Sequence, residues 1–333
     1  MEWNEKEKKR LWIFGGTAFG LTALMGVLMG YSYNQGNDVK LFPNAQMYYP
    51  AAGVILALLF TREKEEILPI RYFIGFLLSA AMMIFMAIGS VISPEVVLSW
   101  QYAVYVAGIG CFILLLTEKK AVKSTCGLNF SGKKGARPWR YFLLFLALYF
   151  LRCFVMYAVE GKVKAFLEVL AHPAVYVQMI LLCFSFFLTF TAFFGEEYGW
   201  RWFFQPLLQK RFGLRGGVVI LGVIWGIWHL PLSLFYHNNP SMWAVSLLMT
   251  VVNCVCTAIF YGYVYMETEN AWLPVIMHFV NNSLSGIYAG TADENAIISV
   301  LAVIAANLVF GVFIFAKTYR KDNFDLRANK KSG

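Results

Sequence analysis

Two adjacent carboxylates stand inside an apolar, aromatic run: Phe193-Phe194-Gly195-Glu196-Glu197-Tyr198-Gly199-Trp200-Arg201. A charge at the centre of a membrane span costs roughly 2.5–3.5 kcal/mol on insertion scales, so such residues face a protein interior or a wet cavity. On a helix Glu197 and Arg201 are i, i+4 and pair on one face. Glu196 is rotated about 100° away and keeps its carboxylate for proton chemistry. Two of the four histidines also lie in apolar stretches, His229 in Trp225-Gly226-Ile227-Trp228-His229 and His278 in His278-Phe279-Val280-Asn281-Asn282. His278 shares a helical face with Asn282, and His229 with Trp225. His172 and His237 fall in polar, Pro-flanked connections and read as solvated. A carboxylate base, two imidazoles and an amide donor are the groups that activate a water and stabilise an oxyanion.

The elements that must position these groups are membrane helices. Of 333 residues 59% are hydrophobic and only 14% charged, against about 25% charged in soluble domains. That excludes a soluble globule, a disordered chain and a disulfide scaffold. Apolar stretches fall near 11–32, 42–60, 72–92, 99–117, 141–159, 178–205, 216–236, 243–265, 271–290 and 295–316. They predict an all-α, polytopic bundle of eight to ten transmembrane helices, treated as one membrane domain over 1–333. The first run follows Lys6, Lys8, Lys9 and Arg10 and exceeds a signal-peptide core, so it reads as the first membrane helix. Gly195/Gly199 and Gly222/Gly226 are small-xxx-small pairs that admit close helix approach, and Pro231 and Pro274 predict kinks beside the histidines.

Charge orients the bundle. With both termini inside, 24 of the 28 Lys and Arg residues fall in inside segments and three outside, with Arg152 left within a span. That is a positive-inside pattern with cytoplasmic termini. The 118–140 connection and the 317–333 tail are basic and read as topology determinants that meet anionic lipids. Nucleic acid is not expected, because the aromatics lie in the spans rather than among the lysines. The six cysteines lack metal-ligand spacing with a His and read as small hydrophobes. At 1.5 Å per residue, Glu196 lies roughly 15 Å, His278 roughly 10 Å and His229 roughly 20 Å from the inner end of their helices. They meet only if the helix carrying His229 tilts or starts late.

The three segments together resemble the CPBP family, the CAAX proteases and bacteriocin-processing membrane proteins also called the Abi family. Its motifs are E-E-x-x-x-R, F-x-x-x-H and H-x-x-x-N on successive membrane helices. Here Glu196-Glu197-Tyr198-Gly199-Trp200-Arg201 and His278 to Asn282 match in full, and Trp225 replaces the Phe of the second motif. The resemblance covers about 178–290; residues 1–170 carry no recognisable motif. It implies a CAAX prenyl protease-like intramembrane peptidase in which Glu196 is the general base, His229 helps hold the water, and His278 and Asn282 stabilise the oxyanion. Glu197, Arg201 and Trp225 would support the site. The implied partner is a membrane-associated peptide or protein.

Relatives have often been described as metalloproteases, and a divalent ion such as zinc would fall to Glu196, His229 and His278. Asn is an unusual zinc ligand and there is no H-E-x-x-H, so metal-independent chemistry is favoured. No aspartate lies well inside a span, which removes a di-aspartyl protease. A proton-coupled transporter and a non-enzymatic bacteriocin-immunity protein stay as alternatives. The expected location is an integral, multi-pass membrane position, the cell membrane in a bacterium.

Overall fold

The computed structural model describes residues 2–93, 100–237, 240–288 and 296–321. Asp293, Asp322, Asp325 and most of the basic tail lie outside them. Among the described residues the chain is all-helical, as expected. In chain order the helices are α1 (Glu5–Asn34), α2 (Leu41–Gln46), α3 (Tyr49–Phe60), α4 (Ile70–Ile92), α5 (Gln101–Thr117), α6 (Lys120–Thr125) and α7 (Pro138–Val159). Then come α8 (Val163–Ala171), α9 (Pro173–Glu197), a π-helix (Tyr198–Phe204), α10 (Gln205–Trp228), α11 (Leu230–Phe235), α12 (Trp243–Thr268), α13 (Trp272–Tyr288) and α14 (Ala296–Gly311).

Six helical runs among the described residues are long and apolar enough to cross a membrane, and the protein is an integral membrane protein. The ten apolar stretches do not translate one for one. The second is cut into α2 and a twelve-residue α3, and α13 has only 17 residues. Within Pro173–Phe235 the chain turns back at Gly213, whose φ of 75° suits glycine. Gly217 packs directly on the backbone of Leu208 and Gln209, a contact no straight helix permits across eight residues. Helical structure thus runs on beyond Pro206 as far as this turn.

The basic segments gather at one end of the bundle. Lys210 pairs with Glu7 at 2.7 Å, Lys6 with Glu63 and Glu66 at 2.8 and 2.7 Å, and Trp3 donates to the Leu207 carbonyl at 2.9 Å. Residues 126–133 form a strap across the same end. Tyr198 donates to the Cys126 carbonyl (3.0 Å), Trp272 to Leu128 (3.0 Å) and Asn270 to Phe130 (2.6 Å), while Lys133 N–H reaches the Thr268 carbonyl at 2.8 Å. Gly127 and Gly132, with φ of 69° and 66°, let the strap lie against the Trp202 indole and the Thr268 carbonyl. Cys126, in this basic segment, is buried as a small hydrophobe would be.

The predicted close approaches form. A side chain on Gly195 would overlap the Met47 carbonyl, and one on Gly199 would overlap Pro50. Gly222 and Gly226 lie on the backbone of Val255 and Val251, so α10 seats tightly on α12. Pro231 does mark a break, between α10 and α11. Pro274 does not kink α13: it is the third residue of the helix, where its missing N–H has no intrahelical partner to lose.

Candidate active site

The helix that carries the carboxylates is pinned by an aromatic column. Trp272 stacks on Phe194 (5.3 Å), Phe194 on Tyr198 (4.7 Å) and Tyr198 on Trp202 (4.6 Å). The column runs through the join where α9 becomes π-helical, immediately after Glu197. Such π turns are frequent at functional sites. Here the tight seat of Gly199 on Pro50 accompanies the widened turn. The α-helical spacing assumed for Glu197 and Arg201 thus meets a different helix, yet the pair forms, with Arg201 Nε 3.1 Å from Glu197 Oε2 and both side chains fully buried. The guanidinium is further held over the rings of Trp225 (4.4 Å) and Tyr261 (5.5 Å).

The other Glu197 oxygen takes His278. Its Nδ1 lies 2.9 Å from Glu197 Oε1, and an ionised carboxylate only accepts, so Nδ1 carries the proton. Phe193, Trp225 and Tyr261 enclose the ring at 5.3, 5.7 and 6.4 Å. That fixes the free nitrogen, Nε2. It accepts when the ring is neutral and donates when the ring is doubly protonated.

Glu196 is buried, and Trp225 Nε1 donates to its Oε2 at 2.7 Å, leaving Oε1 without a hydrogen-bond partner among the described residues. Trp225 therefore touches both the carboxylate and His278. This resolves the depth mismatch between the helices: the residue that reaches Glu196 is Trp225, one turn before His229. His229 is half-buried at the end of α10, and its Nδ1 lies 2.8 Å from the Trp225 carbonyl. A carbonyl only accepts, so His229 Nδ1 is the protonated nitrogen and Nε2 keeps its lone pair. At this break the Trp228 carbonyl lacks a helical partner, and buried Gln46 donates to it at 2.8 Å.

Asn282 is exposed, on the α13 face of His278. Its Oδ1 accepts from Asn281 Nδ2 at 3.1 Å, so its own N–H groups point elsewhere. Asn281 in turn takes Arg152 Nη1 on its Oδ1 at 3.2 Å. Tyr261, Phe193, Gln46 and Asn281 were not singled out in the sequence. The aromatic and amide residues had no signal there, because apolar neighbours and single amides are ordinary in spans. Among the described residues no group of three or more His, Cys, Asp and Glu side chains is placed as a metal site requires.

Residues 178–284 match the family described as type II CAAX prenyl endopeptidase Rce1-like. CAAX prenyl protease 2 of Methanococcus maripaludis is 28% identical over 138 residues, which cover 37% of this chain and 48% of that protein. The chain thus aligns with about half the length of this curated relative. No solved structure matches it. The matched segment contains all three motifs, Glu196 to Arg201, Trp225 to His229 and His278 to Asn282.

Proposed function

We propose that this protein is an intramembrane endopeptidase that hydrolyses a peptide bond in a membrane-associated peptide or protein, without a metal ion. The observation that carries the reading is the convergence of the three motifs, with Trp225 on Glu196 and Glu197 on His278 at 2.7 and 2.9 Å. Glu196 Oε1 takes a proton from water as the oxygen adds to the scissile carbonyl. The His229 Nε2 lone pair accepts the other water proton as a hydrogen bond and so orients the attack. Asn282 N–H, together with His278 Nε2–H when that ring is doubly protonated, stabilises the tetrahedral oxyanion. The proton held by Glu196 then passes to the leaving amine as the C–N bond breaks. Aimed donors of this kind supply about 3–4 kcal/mol each to such a barrier.

The basic end would face the cytoplasm, meet anionic lipids and receive the peptide from that side, with the cell membrane as location in a bacterium. The relative's name points to carboxy-terminal processing of prenylated tails as one substrate class. The test is Glu196→Gln, which keeps size and the Trp225 bond. Membrane insertion and the unfolding midpoint stay as in the unaltered protein, and cleavage of membrane peptides, followed by mass spectrometry, is lost. Cleavage at the original rate by this variant would remove Glu196 as the base, and proton-coupled flux in liposomes abolished by it would favour a transporter.

A further inference from the structure

Arg152 is a cation in the middle of α7 with no carboxylate in ion-pair range among the described residues. Its partners are two neutral amides: Asn253 Oδ1 on α12 accepts from Nη2 at 3.1 Å, and Asn281 Oδ1 on α13 accepts from Nη1 at 3.2 Å. The Phe310 ring lies 5.6 Å from its Cζ. Arg201, by contrast, is neutralised by Glu197. A span-level arginine left with amides alone needs a reason beyond charge balance.

The reason lies in polarity. A guanidinium has donors and no acceptor, so Asn281 must turn its oxygen to Arg152. Its NH2 group then faces Asn282, and Asn282 must present its oxygen in reply, as the 3.1 Å contact records. Asn282 is left with its oxygen turned toward Asn281 and its N–H donors outward. We propose that Arg152 is a positioning residue: through Asn281 it fixes Asn282 as an obligate hydrogen-bond donor, aimed at the oxyanion, and polarises that donor through the chain of bonds. This rests on the peptidase reading above. A freely turning amide would offer its oxygen to the oxyanion about as readily as its nitrogen, and the first arrangement repels.

Asn281→Asp is the discriminating variant. The carboxylate still accepts from Arg152 and gives it an ion pair, so a purely structural arginine is served as well or better. It cannot donate to Asn282, so the relay is cut. The expected result is a loss of kcat of about ten- to a hundredfold with KM little changed, a fraction of what removing an oxyanion donor outright costs. Arg152→Met gives a similar loss, and Arg152→Lys, which still donates, retains most of the rate. In an Asn282→Ala background neither Asn281→Asp nor Arg152→Met lowers kcat further. Full kcat in Asn281→Asp, or losses that multiply with Asn282→Ala, would overturn the proposal.

The probe is a mixture of N-acylated hydrophobic peptides presented in liposomes, with Glu196→Gln as the blank. Cleavage no faster than that blank counts against the peptidase reading instead. The relay is then read without turnover, from the side-chain 15N–1H signal of selectively labelled Asn282. A signal that shifts in Asn281→Asp and Arg152→Met but not in Arg152→Lys supports it. A signal unmoved in all three removes it.

Discussion

The indole N–H of Trp225 donates to Glu196 Oε2 at 2.7 Å, at the one position where the second motif departs from the family pattern. A phenylalanine there would supply the same apolar ring edge to His278 and no hydrogen bond to the carboxylate. Trp225→Phe therefore removes one bond to a charged group, worth about 1.5–3 kcal/mol. The expected fall in kcat/KM is about tenfold, with the protein still folded by circular dichroism. A rate unchanged by the substitution would show that the indole only fills space.

The Glu197–Arg201 pair is fully buried, so breaking it is costlier than deleting it. Arg201→Leu leaves the buried Glu197 carboxylate with His278 Nδ1 alone and should cost about 3–5 kcal/mol of stability. Glu197→Leu combined with Arg201→Leu should recover a large part of that loss, while cleavage stays absent because His278 has lost its anchor. Unfolding midpoints in detergent, measured on the single and double variants, check both statements.

Gly226 lies on the backbone of Val251, and α10 carries Trp225 beside it. Gly226→Leu forces the two helices apart, with an expected loss of about 1–3 kcal/mol from overpacking. Activity should fall more than that loss of stability alone explains, because Trp225 moves with the backbone. Comparing residual activity with the folded fraction at one temperature separates the two effects.

Glu66 lies in the connection between α3 and α4. Burial pushes its carboxyl up, but the bond from Lys6 and the charge of Arg10 outweigh this and hold it below the ordinary carboxylate value. Its contribution to stability is therefore present above the unfolded-state value and is lost as pH falls through the lower, folded value. Acidification from pH 6 to pH 3.5 should lower the unfolding midpoint, and Glu66→Gln should show a shallower decline over that window. Equal slopes would mean that the pairs with Lys6 and Arg10 carry no net stability.

Exhaustive dialysis against a divalent-ion chelator should leave the cleavage rate of the purified protein within about twofold. The groups at the site pair with one another and the backbone: His278 Nδ1 with Glu197, His229 Nδ1 with the Trp225 carbonyl. Activity that disappears with the chelator and returns with zinc would overturn the metal-independent reading.

Much of the site was legible because its members are conspicuous in lipid. Glu196, Glu197, Arg201, His229 and His278 are polar residues in apolar runs, and the glycine pairs marked helix faces open to close approach. What could not be read depends on partners distant in sequence. The π turn at 198–204 sits where Gly199 meets Pro50, nearly 150 residues earlier. The Arg152–Asn281 bond crosses two helices, and single asparagines in spans give no pattern. The order of contact was also hidden: helical spacing placed Trp225 and His229 on one face, but only the packing of α10 on α12 selects the indole as the residue that reaches Glu196.

The strap over residues 126–133 grips the site's helices mainly through its own main chain. Carbonyls of Cys126, Leu128 and Phe130 accept from Tyr198, Trp272 and Asn270. Lys119, Lys120 and Lys134 beside it are exposed. These lysines can therefore be exchanged for others of like charge without disturbing the fastening, while the glycines at 127 and 132 cannot. Along this segment the charge is carried by side chains and the fastening by peptide groups, so the two can vary independently.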